Sequence, residues 1–275
     1  MDRKILFLDL DGTLLNSSRE VSPGNRAALE QALSLGHKVV INTGRPLHSA
    51  IIQNDRLGFH QDGCYVVSFN GGMIYDAYRE KLVYSHCLPL DTAKAILTLC
   101  NSRNIHVQTY DREDVLVEPR WDDGLLRKYC GRILMHYRVL PSFETGLQQD
   151  PPKVLAVSEE DRPALERLRQ ELLQRFEDVD CFFSSKQLLE IVPKGVHKGS
   201  ALERLCRLLD IPVANSVAAG DEENDLTMLQ AAGVGCAMAN AAEKVKQSAD
   251  YITARNNDQD GVAEIVEKFL MCSDK

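Results

Sequence analysis

The stretch KILFLDLDGTLLNSS, from Lys4 to Ser18, decides how this chain is read. Its apolar half is short and unbroken, the pattern of a strand buried on both faces of a parallel sheet. It runs directly into Asp9 and Asp11, one residue apart, and then into Gly12. In an open α/β sheet, ligands bind beyond the carboxyl ends of the strands. Asp9 and Asp11 share one pleat parity, so both carboxylates can face a single site while Leu10 points elsewhere. Gly12 permits a sharp turn of the backbone after them. Two acids this close repel, and each raises the other's pKa unless a cation lies between them. Taken alone, the pair fits a strand-end Asx turn equally well.

Working outward, strand-like and helix-like stretches alternate. Pro23 to Leu35 carries Ala27, Ala28, Leu33 and Leu35 among polar residues, with Ser22 as the expected N-cap and Gly36 as the stop. KVVIN is a second strand, Leu47 to Leu57 a second helix and CYVVSFN a third strand. This order predicts right-handed crossovers and a parallel sheet covered on both faces. NGGMIYDAYREKLVYSH then reads as a hairpin. From about His86 to Ser185 the rhythm is mixed, with strands in IHVQTY, DVLVEP, KVLAV and CFFSS, and a helix whose stripe is Leu165, Leu168, Leu172 and Phe176. Beyond LLEIVP the first rhythm returns. The expected architecture is one α/β domain, 1–84 and 186–275, split by an inserted α+β domain, 85–185.

Composition bounds the function. The 275 residues carry 32 basic and 40 acidic side chains, a net charge of −8, which argues against a nucleic-acid backbone binder. The eight cysteines form no C-x-x-C cluster and read as reduced thiols of a cytoplasmic protein. The first strand starts too early for a secretory leader, and no apolar run reaches the roughly 18 residues of a membrane span. The sequon Asn16-Ser17-Ser18 therefore carries no weight.

Three further features are expected at the same rim. INTGRP ends the second strand, placing the Thr43 hydroxyl and the Gly44 N–H as phosphate donors; loop chemistry alone also produces Thr-Gly there. PKGVHKGSAL opens a helix with Lys194 and Lys198 at its N-terminus, where cations oppose the helix dipole and an anion would justify them. AAGDEENDLTML ends a short strand in Asp221, Glu222, Glu223 and Asp225. Helix N-terminal preference accounts for the glutamates but not for Asp221, in the slot that corresponds to Asp9. Hard oxygen ligands from two strand ends, with room for water and phosphate, make a magnesium site.

In this order the residues resemble the four motifs of the haloacid dehalogenase superfamily: FLDLDGTLLNS, INTGRP, Lys198 in GVHKGSAL, and GDEENDLTML. The insertion between the second and third motifs, together with Asn70-Gly71-Gly72, is similar to the class IIB Cof-type phosphatases. His197 departs from the small residue common there before the lysine. The resemblance implies a Rossmann-like core with an α+β cap that selects the substrate. It implies a Mg2+-dependent phosphatase acting on small phosphorylated metabolites, sugar phosphates first, through an aspartyl-phosphate. Asp9 would be the nucleophile and Asp11 the general acid and base. The metal would lie on Asp9, Asp11, Asp221 and Asp225, and the phosphoryl oxygens on Leu10, Thr43, Gly44, Lys198 and Asn224. A sugar phosphomutase and a non-catalytic phospho-ligand sensor remain open alternatives.

Overall fold

In the computed structural model, which describes residues 3–271, the chain forms two compact units. One comprises the chain up to Gly44, Ala50–Val83 and the chain from His197; the other comprises Arg45–Ser49 and Tyr84–Val196. The first opens with β1 (Ile5–Leu8), β2 (Lys38–Asn42) and β3 (Cys64–Ser68), all buried throughout and paired in parallel. β4 (Met73–Asp76) turns back antiparallel on β3, and β5 (Lys81–Ser85) closes that edge.

The second unit holds β6 (His106–Tyr110), β7 (Asp114–Val117), β8 (His136–Val139), β9 (Val154–Val157), β10 (Val179–Ser185) and β11 (Leu188–Pro193). Their order is β10-β11-β9-β6-β7-β8, antiparallel except between β7 and β8. The expected resumption of the first domain at residue 186 falls inside the β10–β11 hairpin. LLEIVP pairs with both β10 and β9, so the first unit resumes only at His197. β8 had no sequence signal of its own. Its pattern is mostly exposed, as befits an edge strand.

The chain then returns to the other side of β1. β12 (Ser216–Gly220) pairs parallel with β1, followed by β13 (Val234–Ala237) and β14 (Tyr251–Ile252). The parallel core of the eight-stranded sheet therefore runs β14-β13-β12-β1-β2-β3. Strand order reverses at β1, and right-handed crossovers in opposite directions send helices to opposite faces. Pro23–Ser34 packs with Gly261–Phe269, and Lys198–Leu208 packs with Leu226–Ala231. Ser22 caps the first of these as expected, accepting from the Asn25 N–H at 3.3 Å. Buried His37 ties the ends of the chain together. Its Nδ1 accepts from the Lys4 N–H at 3.1 Å, so its Nε2 donates to the Leu270 carbonyl at 3.0 Å. Burial lowers its pKa and keeps the ring neutral.

The second unit buries charge as well as apolar surface. Lys153 Nζ lies 2.7 Å from Glu190 Oε2, with side chains 1% and 4% exposed. Ser184 Oγ donates to the other Glu190 oxygen at 2.7 Å. Removing one partner strands the other charge in a low-dielectric interior, at a cost of about 3–5 kcal/mol, whereas replacing both by apolar side chains is often neutral. Lys153→Met should therefore lower the unfolding free energy by about that amount. The double variant Lys153→Met/Glu190→Leu should recover most of the loss. Denaturant unfolding measures both; a single variant as stable as the parent would show that the pair is not electrostatically isolated.

Candidate active site

The site is built at the strand-order reversal, where β1 and β12 end side by side. The ladder carries on one residue past β1, since the Asp9 N–H donates to the Ala219 carbonyl at 3.0 Å. This delivers Asp9 and Asp221 to the same rim. Between them the chain turns at Gly12, whose φ is +88°. A Cβ there would stand 2.3 Å from Asp221 Oδ2, so only glycine fits this turn. Thr13 donates from Oγ1 to Asp221 Oδ1 at 2.8 Å, and Asn240 Nδ2 donates to the Gly12 carbonyl at 2.8 Å.

Lys198 is the first residue of its helix and is wholly buried. Its ammonium donates to Asp9 Oδ1 at 2.5 Å and to Asp225 Oδ1 at 2.6 Å. Asp225 Oδ2 in turn accepts from the backbone N–H groups of Asp221 and Glu222, at 3.0 and 3.1 Å. Both Asp225 oxygens are thus engaged by the protein itself. His197 finds its purpose here: its Nδ1 accepts from the Ser200 N–H at 3.0 Å, capping the helix that Lys198 opens. Lys194, the other candidate lysine, is 63% exposed and lies 3.4 Å from Asp180.

The remaining sequence candidates distribute as follows. Thr43 is buried and Gly44 half-buried just past β2. Asn224 is half-buried on the short turn before Asp225. Leu10 is fully buried, so its side chain belongs to the core and only its backbone faces the turn. Asp11 is exposed, and its carboxylate lies outside the acidic cluster. Sequence reasoning missed Thr13, Asn42 and Asn240. Thr13 lay in the opening stretch itself. Asn42 holds the Lys198 carbonyl from Nδ2 at 3.1 Å, a contact between residues too distant in sequence for any spacing rule.

Oxygens of Asp9, Asp221 and Asp225 lie within 4.8 Å of one another. Burial pushes the Asp9 pKa well up, against the pull of Lys198, and repulsion from Asp225, Asp221 and Asp11 adds to the rise. Burial and then Asp225 push Asp221 up to about 7, partly offset by the Thr13 hydroxyl. Burial works against the charge on Lys198, but Asp225 and Asp9 hold it on, above its ordinary value. Three buried carboxylates therefore face one ammonium. An all-oxygen donor set with surplus negative charge fits a hard divalent cation.

A family model described as haloacid dehalogenase-like hydrolase matches residues 6–266. The chain belongs to that family. Several of its relatives are named phosphatases, and this enzyme is a phosphatase too. It is 31% identical to the phosphatase YwpJ of Bacillus subtilis over 97% of this chain and 100% of that one. It is 28% identical to the 5-amino-6-(5-phospho-D-ribitylamino)uracil phosphatase YitU of the same organism, over 97% of each. A solved haloacid dehalogenase-like hydrolase from Bacteroides thetaiotaomicron superposes with a TM-score of 0.86 at 32% identity, covering 97% of this chain and 99% of the other. Phosphatases of this family use a divalent metal, and the buried aspartate cluster could bind one.

A cation at this cluster competes with the proton that Asp221 takes up near pH 7. The carboxylate is the form that binds metal, and the Asp9 pKa is raised as well, so affinity for a divalent cation should rise with pH through neutrality. The rise should approach about tenfold per pH unit on the acid side. Asp221→Asn should make it shallower. Calorimetric titration with Mg2+ on either side of neutrality measures this, and a flat profile for the parent protein would contradict the assignment.

Proposed function

We propose that the enzyme hydrolyses small phosphorylated metabolites, sugar or polyol phosphates first among them, with Mg2+ and through a phosphoenzyme on Asp9. The observation that carries this reading is the buried Lys198 ammonium bonded at once to Asp9 and Asp225, beside Asp221. Such an arrangement holds one carboxylate in place and sets a fixed positive charge where a phosphoryl dianion would sit. Mg2+ would be held by the Asp9 carboxylate, the Asp11 carbonyl and Asp221, with Asp225 behind them as the group that positions Lys198. Bound there, it supplies charge neutralisation for the phosphoryl group and for the crowded carboxylates.

Asp9 attacks phosphorus, forming an Asp9–phosphate bond as the ester P–O bond breaks. Asp11, which is exposed, gives its proton to the departing alkoxide. In the second step Asp11 takes a proton from water as that water attacks phosphorus. The Asp9–phosphate bond breaks, and inorganic phosphate leaves. Lys198, Thr43, the N–H groups of Leu10 and Gly44, and Asn224 hold the phosphoryl oxygens throughout. The inserted unit selects the rest of the substrate. YitU, named for a phosphorylated ribityl compound, supports a polyol-phosphate class. The enzyme works in the cytoplasm, a reading supported by seven unpaired cysteines among the described residues.

The two opening carboxylates should separate cleanly. Asp9→Asn should abolish turnover of every substrate, because an amide cannot form the phosphoenzyme. Asp11→Asn should lose far more of its first step with sugar phosphates than with nitrophenyl phosphate, whose leaving group hardly needs a proton. With nitrophenyl phosphate it should show a burst followed by slow turnover. Rapid-quench measurement on both substrates checks this. Equal first-step losses would mean that Asp11 only shapes the metal site. Inorganic phosphate as the product excludes a mutase, which would return the phosphoryl group to sugar.

The two lysines should separate as well. Lys198→Ala should cut kcat/KM by about a hundred- to a thousandfold, as loss of a pre-set donor to a phosphoryl oxygen does. Lys194→Ala should leave it unchanged. Steady-state kinetics of both variants decide it, and the reverse ranking would place the phosphate on the wrong lysine.

A further inference from the structure

Beyond β3 the backbone does something rare. Phe69 and Asn70 stand consecutively at φ of 51° and 57°, followed by Gly71 at 111°. L-residues other than asparagine and aspartate seldom adopt this region, and runs of it concentrate at functional sites. The turn carries the Asn70 side chain into the interior, where the residue is 1% exposed.

Its surroundings are the residues assigned above to the phosphoryl group. The Asn70 N–H donates to the Thr43 carbonyl at 3.0 Å. A Cβ on Gly44 would stand 2.8 Å from Asn70 Oδ1 and 3.0 Å from Nδ2, so the amide lies against that glycine and needs its missing side chain. Asn224 Nδ2 donates to Asn70 Oδ1 at 3.4 Å. Because that contact takes the oxygen, the nitrogen is the free end, and Asn70 Nδ2 is buried without a hydrogen-bond partner. A buried amide donor left unpaired is costly, and native structures rarely tolerate one without a purpose. An anionic oxygen arriving beside Gly44 and Asn224 would satisfy it.

We propose that Asn70 is a further anion-binding residue of this site, donating from Nδ2 to an oxygen of the substrate's phosphoryl group. The inference rests on the phosphatase reading of the same site. A neutral amide suits the role because it adds a donor without adding another buried charge to a cluster that already holds four ionisable side chains, Asp9, Asp221, Asp225 and Lys198. The left-handed backbone is what aims it, and asparagine is among the few residues that combine that backbone with a side-chain donor.

The test uses inorganic phosphate as the probe, in the presence of Mg2+, with binding followed by calorimetry. Asn70→Gly keeps a residue at home at positive φ and removes only the amide. It should weaken phosphate binding by about ten- to a hundredfold, the range for a hydrogen bond to a charged group. Its Mg2+ affinity should stay unchanged. Asn70→Asp keeps the shape, the backbone preference and the acceptor for Asn224, but sets an anionic oxygen where the donor stood. It should bind phosphate more weakly still than Asn70→Gly. A residue that merely holds the turn would give the opposite ranking, and that ranking overturns the proposal, as does unchanged phosphate affinity in both. If Asn70→Gly melts below the assay temperature, Asn70→Asp alone decides, since undiminished phosphate affinity there is equally fatal. Parent protein that neither binds phosphate nor hydrolyses esters would overturn the phosphatase reading instead.

Discussion

The structure of the site depends on one buried ammonium. Lys198 sits between Asp9 and Asp225 with no exposed side-chain surface, and each of its two contacts joins segments that meet only in the folded chain. Burying three carboxylates in this space would otherwise be prohibitive, since desolvation penalises every charge and mutual repulsion compounds it. The ammonium offsets part of that and leaves a negative surplus. That surplus raises the pKa of Asp9 and Asp221 and makes the cluster attractive to a cation. The same fixed charge compensates the buried carboxylates and, in the proposed reaction, also meets the phosphoryl group, which is why the protein brings so much structure to bear on placing it.

Much of that structure is polar and neutral. Asn42 holds the Lys198 carbonyl, His197 caps the helix that Lys198 begins, and Asp225 is locked by two backbone N–H groups. On the other side of the cluster, Thr13 and Asn240 fasten the turn that follows Asp9. Asn257 extends this clamp. Its N–H donates to Asn240 Oδ1 at 3.1 Å and its Nδ2 to the Leu15 carbonyl at 2.9 Å. Directional hydrogen bonds of this kind define orientation where apolar packing alone would tolerate several. The left-handed turn at Phe69–Asn70 belongs to the same economy, with local strain retained because the surrounding contacts over-determine it.

Parts of this protein are legible in its sequence for plain physical reasons. A strand buried on both faces must be a continuous apolar run, so β1, β2 and β12 declare themselves, and the residues just beyond them must lie at the sheet's carboxyl rim. The alternation of strand and helix determines the parallel core, and its interruption announces a second unit. Lys198 could be preferred over Lys194 from the motif it resembles, and burial separates the two unambiguously.

Other features were decided only by the tertiary structure, because they depend on distances between residues far apart in the chain. LLEIVP reads as a strand wherever it is placed; its pairing with β9 and β10 puts it in the second sheet and moves the boundary to His197. Edge strand β8 lacks the buried face that would have given it a pattern. The saturation of both Asp225 oxygens, the near-neutral pKa of Asp221 and the unpaired amide of Asn70 are likewise invisible in any one-dimensional spacing. The sequence by itself determined which side chains could do chemistry and at which strand ends they would emerge, since periodicity and chain direction suffice for that. Only the folded chain decided which of them share one low-dielectric space, because burial and charge pairing arise when separate segments converge.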